Sequence, residues 1–291
     1  MLIKEGAVHP LKNREKSSFG EYGNRTCLQK GMGIMTIGQV VICFLAGMGA
    51  GLGTGFAGMS AAAVISPMLI SFLGVPAYQA VGIALSSDVL ASAISAYTYG
   101  KNKKLDIKNG LVMMGSVLIF TMIGSYLSKL VPNQMMGNFS MYMTLLVGIK
   151  FIVRPIMTAP DVVEEKPTRT KIIQSILCGV LVGFICGFVG AGGGMMLLLI
   201  LTSVLGYELK TAVGTSVFIM TFTALTGGVS HLVIGGMPNL KILFLCMIFT
   251  LIGARVSAKF ANKASAKVLN RTLGVVLTVI GGLMIIMDLL K

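Results

Sequence analysis

GFVGAGGGMMLLLIL, residues 187–201, sets Gly190, Gly192, Gly193 and Gly194 into a stretch that is otherwise almost wholly apolar. Each glycine gives up about 1 kcal/mol of helix propensity relative to alanine, so such a run does not persist cheaply as a regular lipid-facing helix. Irregular backbone at membrane depth is tolerated only against protein or a water-filled cavity. The stretch therefore predicts a helix that stops inside a membrane and restarts after Gly192 to Gly194. The restart leaves unpaired N–H groups pointing into the gap, an anion-binding arrangement that needs no charged side chain. The competing reading is close packing of small residues between helices, a pattern that Gly183 and Gly187 also satisfy.

The same phrase occurs earlier in the chain. GFAG at 55–58 matches GFVG at 187–190, and the match continues in register 132 positions apart, Gly74 with Gly206 and Ala80-Val81-Gly82 with Ala212-Val213-Gly214. A duplicated hydrophobic half with a broken helix at the same place in each copy is the pattern of a secondary transporter. In the first copy Gly51, Gly53, Gly55 and Gly58 precede Ser60, Ala61 and Ala62, which stand where the second copy has Gly192, Gly193 and Gly194. Small residues persist there, the Ser60 hydroxyl is available to a polar ligand, and Pro67 is a candidate kink in the next segment.

Composition sets the class independently. With 55% hydrophobic and 12% charged residues, the chain is not an ordinary soluble globule. Apolar stretches of about 20 residues, with polar breaks spaced too widely for β-barrel alternation, predict an all-α polytopic protein of the cytoplasmic membrane. The expected segments are 34–57, 61–73, 78–100, 109–131 and 138–154 in a first repeat (34–154), then 172–190, 194–205, 211–235, 239–258 and 268–290 in a second (172–291). A basic polar tail (1–33) precedes them, and a Pro-containing charged linker (155–171) joins the halves. The second segment of each half is short enough to be a half-helix or re-entrant element, so eight to ten membrane segments are expected. The tail has no apolar run of signal-peptide length, so the first helix is expected to direct insertion.

Cys27, Cys43, Cys178, Cys186 and Cys246 are scattered without a CxxC or Cys/His cluster, which predicts reduced packing cysteines and no metal site. No phosphate loop with its Lys is present, so no nucleotide or other cofactor is expected, and coupling to a proton or ion gradient is favoured over ATP hydrolysis. The net charge of +14 is assigned to anchoring on acidic lipid rather than to a nucleic-acid partner. Twenty of the 24 basic residues cluster in the tail, 101–108, 150–171 and 255–271. The positive-inside rule cannot place all four on one side. Five spans per half make the repeats inverted with only the tail outside, and four make them parallel. The three acids in the tail favour inversion.

Three further positions carry candidate chemistry. Thr215 and Ser216, in AVGTSVF at 212–218, offer neutral donors to an oxyanion, unless they simply bond back to their own helix. Asp88 falls inside a span, where a carboxylate costs at least about 2.5 kcal/mol, so it is expected to face the bundle interior as a proton-coupling residue or as a paired structural acid. Its counterpart in the second half is Met220. His231 is expected at the far interface. Its 15 positions from Ser216 correspond to roughly 22 Å of helix, which excludes a Ser/His catalytic pair. No other catalytic pair is evident, so an enzyme is not expected.

The G-x-x-G-x-G-G-G break (Gly187, Gly190, Gly192 to Gly194), the A-V-G-T-S start of the next span (Ala212 to Ser216), the G-A-R motif (Gly253 to Arg255) and the two-repeat layout resemble the sulfite exporter TauE/SafE family over about residues 35–290. The resemblance implies transport of sulfite, sulfoacetate or related organosulfonates across the cytoplasmic membrane. On the residues alone, the candidate substrate-binding set is Gly55, Gly58, Ser60, Gly187, Gly190, Gly192, Gly193, Gly194, Thr215 and Ser216, with Asp88 for proton coupling. The expected partners are a small anion and the lipid bilayer. A passive anion channel is the alternative, and a membrane enzyme or scaffold is a third.

Overall fold

The computed structural model describes residues 36–132, 168–189 and 193–261, with isolated positions between 135 and 153 and between 275 and 286. All regular structure among these residues is helical: α1 (Ile37–Ala57), α2 (Ala62–Leu73), α3 (Ala77–Lys101), α4 (Ile107–Ser128), α5 (Thr168–Val189), α6 (Gly193–Ser203), α7 (Leu209–Gly235) and α8 (Leu240–Ala261). Five of them, α1, α3, α4, α7 and α8, are long and apolar enough to cross a bilayer. At 12 and 11 residues, α2 and α6 are too short to cross alone. The tail at 1–33, most of the linker and most of the segments expected at 138–154 and 268–290 lie outside the described residues. The helix α5 begins at Thr168, inside the stretch read as linker, because the polar turn TRTK can extend a helix past the hydrocarbon.

Helix ends follow local chemistry. Gly58, at φ +62°, closes α1 in the left-handed conformation that glycine alone adopts freely. Its N–H donates to the Thr54 carbonyl at 3.0 Å and the Met59 N–H reaches back to Gly53 at 3.3 Å. After α2 and α6 the turn is the same: Gly74 and Gly206 have φ +63° and +73°, and the Val75 and Tyr207 amides return to Leu69 and Leu201 at 3.1 and 2.8 Å. Pro67 does not interrupt α2. Asp106 caps α4, its carboxylate accepting from the Asn109 amide at 3.2 Å.

Lipid tails are as apolar as leucine, so helices in a bilayer associate through close packing and polar contacts rather than burial of apolar surface. Two glycine ladders provide that approach. Along α1, a Cβ at Gly47 would meet Phe249, one at Gly51 would overlap the Thr250 carbonyl oxygen, and one at Gly55 would overlap Ser257 Oγ. Along α5, Cβ atoms at Gly179, Gly183 and Gly187 would overlap Ser116 Oγ and the Val117 and Thr121 carbonyl oxygens. Contacts therefore advance together along each pair, so α1 runs parallel to α8 and α5 runs parallel to α4. The pair α3 and α7 is antiparallel: Tyr78 meets Gly235, Gly82 meets His231, Leu85 meets Gly227, and Tyr99 meets Gly214. Since Lys104 Nζ bonds Glu208 at 2.8 Å, α3 ends where α7 begins. Arg255 and Lys259, late in α8, and the start of α4 then lie toward that same end. The start of α1 lies at the other.

Candidate functional site at the helix breaks

Asp88 occupies the midpoint of α3 and is fully buried. Its carboxylate accepts from Thr54 Oγ1, in the last turn of α1, at 3.3 Å and from Ser60 Oγ, in the break, at 3.0 Å. The Ala61 amide also points at it. A buried carboxylate is tolerated when its lone pairs are met by donors, and here the donors are the Thr54 hydroxyl in the last turn of α1 and the Ser60 hydroxyl and Ala61 amide at the start of α2. The first break thus already holds a carboxyl group, supplied by the chain itself.

The second break meets the first. A Cβ on Gly194 would overlap the Gly58 carbonyl oxygen and Met220 Sδ and lie 3.0 Å from the Ser60 nitrogen. One on Gly193 would lie 2.9 Å from Cys186 Sγ. Gly58 in turn faces α7, where its Cβ would lie 2.5 Å from Ser216 Oγ. Gly58, Ser60, Gly193, Gly194 and Ser216 are therefore brought together between α3 and α7, with Met220 in the register of Asp88. Gly190 and Gly192 lie outside the described residues.

The other candidates take different positions. Gly55 and Gly187 sit at helix crossings, and each exposes the carbonyl of a helix about to end. Carbonyls in the last turn of a membrane helix take side-chain donors where no water reaches them. Tyr99 Oη donates to the Gly55 carbonyl at 3.2 Å. His231 Nε2 stands 3.1 Å from the Gly187 carbonyl, to which Ser125 Oγ also donates at 3.3 Å. Thr215 points away from the break: its Oγ1 accepts the Asp106 amide at 3.1 Å. Ser216 Oγ donates to its own helix at the Val213 carbonyl, 2.9 Å away. His231, expected at an interface, is only 2% exposed, because α7 continues past it and the ring lies against α3 and α5.

Thr54 and Tyr99 were not singled out from the sequence, and Met220 was named only as the counterpart of Asp88. Tyr99 had a usable signal: it stands 132 positions before His231, the offset that aligns the glycines. Among the described residues no group of three His, Cys, Asp or Glu side chains converges on a metal position. At the end of the bundle where α3 meets α7, Tyr207 Oη donates to Asp106 Oδ2 at 2.8 Å, beside the Lys104–Glu208 pair.

The family model described as sulfite exporter TauE/SafE matches residues 43–284. Among curated proteins the chain is similar to the probable membrane transporter protein YdhB of Bacillus subtilis, 23% identical over 73% of this chain and 86% of that protein. It is 28% identical to the probable membrane transporter protein YunE of the same organism, over 79% of this chain and 89% of the relative. A probable membrane transporter protein of Methanocaldococcus jannaschii is 27% identical over 85% of this chain and 94% of its own length. No solved structure matches the chain. With five helices able to cross a bilayer and a family match over most of its length, the chain is a multi-pass membrane protein that belongs to the sulfite exporter TauE/SafE family.

Proposed function

We propose that the chain is a secondary transporter that carries small sulfur-containing anions, such as sulfite, sulfoacetate or related organosulfonates, across the cytoplasmic membrane under an ion gradient. The observation that carries this reading is the unequal filling of two corresponding helix starts. At the start of α2 the Asp88 carboxylate accepts from Ser60 and Ala61. At the start of α6 the residue in its register is Met220, whose Sδ lies against Gly194. A substrate oxyanion takes the place at α6 that Asp88 takes at α2, received by free N–H groups and by the positive end of the helix dipole. Met220 is unbranched and rotates aside at small cost. The pyramidal oxygens of a sulfite or sulfonate suit several converging N–H donors at once.

Asp88 couples this to protons. As a carboxylate it holds Thr54 and Ser60 across the first break; protonation removes one acceptor and frees the first break to move against the second. The antiparallel pairing of α3 with α7, helices that correspond across the two halves, supports inverted repeats related by an axis in the membrane plane. The helix directions gather the basic residues of 101–108 and 255–259 at one end, where the 150–171 stretch also leads into α5, and the positive-inside rule makes that end cytoplasmic.

Met220→Asp tests the site. A carboxylate supplied at the second helix start is expected to abolish the thermal stabilisation that sulfite gives the purified protein, with the protein still inserted. Undiminished stabilisation would remove the α6 start from the site.

A further inference from the structure

Tyr99 and His231 stand 132 positions apart and do the same structural work, each meeting a carbonyl in the last turn of a helix that ends at a break. One donor suffices for that work. Tyrosine supplies one, but imidazole carries a second nitrogen, and Nδ1 of His231 is buried without a hydrogen-bond partner. With Nε2–H committed to the Gly187 carbonyl, neutral imidazole leaves Nδ1 as a lone pair, an acceptor only. A second acceptor, the Tyr78 backbone carbonyl, faces the ring. Two acceptors flanking one ring are satisfied together only when both nitrogens carry hydrogen. The Tyr78 ring, 4.3 Å away centre to centre and tilted by 35°, adds an aromatic neighbour that favours a cation.

We propose that His231 is a second proton-binding site, in the half of the transporter that has Met220 where the other half has Asp88. An imidazolium there keeps its Nε2 bond to Gly187 and gains an N–H at the unpartnered Nδ1, with the Tyr78 carbonyl as the acceptor facing the ring. The titratable groups on the elements packed around it are Tyr78 and Asp88 on α3 and Cys186 on α5; α4 presents the hydroxyls of Ser125 and Ser128. Asp88 is six residues from Gly82, the α3 residue that touches His231, so about 9 Å of helix separates the two proton sites. Gly187, which the ring holds, lies in the last turn of α5, just before the start of α6 where the anion is received. Proton and anion then stabilise each other across the second break. This coupling rests on the anion reading above; the proton site itself does not.

Histidine occurs only at positions 9 and 231, so the site can be observed directly. The full chain carrying His9→Gln, labelled with 15N-histidine in lipid nanodiscs, is titrated by NMR between about pH 5 and 8, the range in which histidine ordinarily changes charge. The expected result is a His231 ring that passes from the neutral Nε2–H form to the doubly protonated form within this range, at a higher midpoint when sulfoacetate is saturating. A ring that stays neutral throughout overturns the proposal. In the second arm, His231→Tyr keeps a donor for Gly187, as Tyr99 does for Gly55, and is expected to retain thermal stability while flux loses one step of its pH profile. An unaltered profile overturns the proposal. A midpoint indifferent to sulfoacetate, with titration still present, leaves the proton site standing and sinks the anion reading instead.

Discussion

Gly194→Ala adds one methyl group where the two breaks touch. Its Cβ would overlap both Met220 Sδ and the Gly58 carbonyl oxygen and lie 3.0 Å from the Ser60 nitrogen. Met220 can rotate away at small cost. The Gly58 carbonyl cannot, since it belongs to a left-handed turn at φ +62° pinned by the Gly58 amide on Thr54 at 3.0 Å. The backbones must separate, and overpacking of this kind costs about 1–3 kcal/mol. Taken from the ground state of the site, that cost weakens substrate binding roughly 5- to 150-fold. A helical Gly→Ala change also gains about 1 kcal/mol of propensity, so melting temperature alone would understate the strain. The control is Gly38→Ala, whose Cβ meets nothing within 4 Å. The assay is the concentration dependence of sulfite flux in proteoliposomes beside thermal melting in detergent, and the expected result is a raised KM for Gly194→Ala and none for Gly38→Ala. A Gly194→Ala protein with the KM of wild type and the stability of the control would mean that the breaks are not in contact.

Asp88→Asn keeps the volume of the side chain and one acceptor oxygen, and the Thr54 or Ser60 hydroxyl can turn to accept from the new NH2, so insertion is expected to be normal while a pH gradient no longer drives uptake; gradient-driven flux in this variant would return Asp88 to a structural role. Gly51→Leu and Gly183→Leu each force apart a parallel helix pair held backbone to backbone. Both are expected to lose at least about 3 kcal/mol, the upper end of overpacking costs, seen as matched drops in melting temperature; tolerance of either would dissolve the equivalence of the two ladders. Burial pushes the Asp106 carboxyl up, but the Asn109 side chain and amide, Tyr207 and the Lys108 amide together hold it below the usual carboxylate range. A depressed carboxylate contributes stability above its unfolded value of about 3.9 and loses it as pH falls through the lower folded value. Hydrogen exchange at the Asn109 amide is therefore expected to accelerate only below about pH 4, and acceleration near neutrality would contradict the cap.

Much of the fold was legible because membrane helices write long apolar runs. The segments expected at 61–73, 78–100 and 211–235 differ by at most two residues from Ala62–Leu73, Ala77–Lys101 and Leu209–Gly235. The breaks were legible too, since glycine runs mark them directly. Direction was not. Whether Gly55 and Gly187 face a ligand or a neighbouring helix depends on which helix arrives there, and the ladders beginning at Gly47 and Gly179 gave them to α8 and α4. Thr215 and Ser216, adjacent in sequence, point about 100° apart on a helix, and only the Asp106 amide decides that Thr215 belongs to the bundle end. The charge count leaned only slightly to inverted over parallel repeats; the proposed inversion draws on the order of contacts along α3 and α7, which no charge count contains.

In the proposed function, two converging helix breaks form a gradient-coupled site for a sulfur oxyanion. The most direct test is flux of sulfite and small sulfonates into proteoliposomes of the purified protein, with and without an imposed pH gradient. Saturable flux that the gradient accelerates, and that Met220→Asp abolishes, is the expected result. Saturable flux indifferent to the gradient would make the protein a passive facilitator, and no flux of any sulfur oxyanion would contradict the assignment of the site.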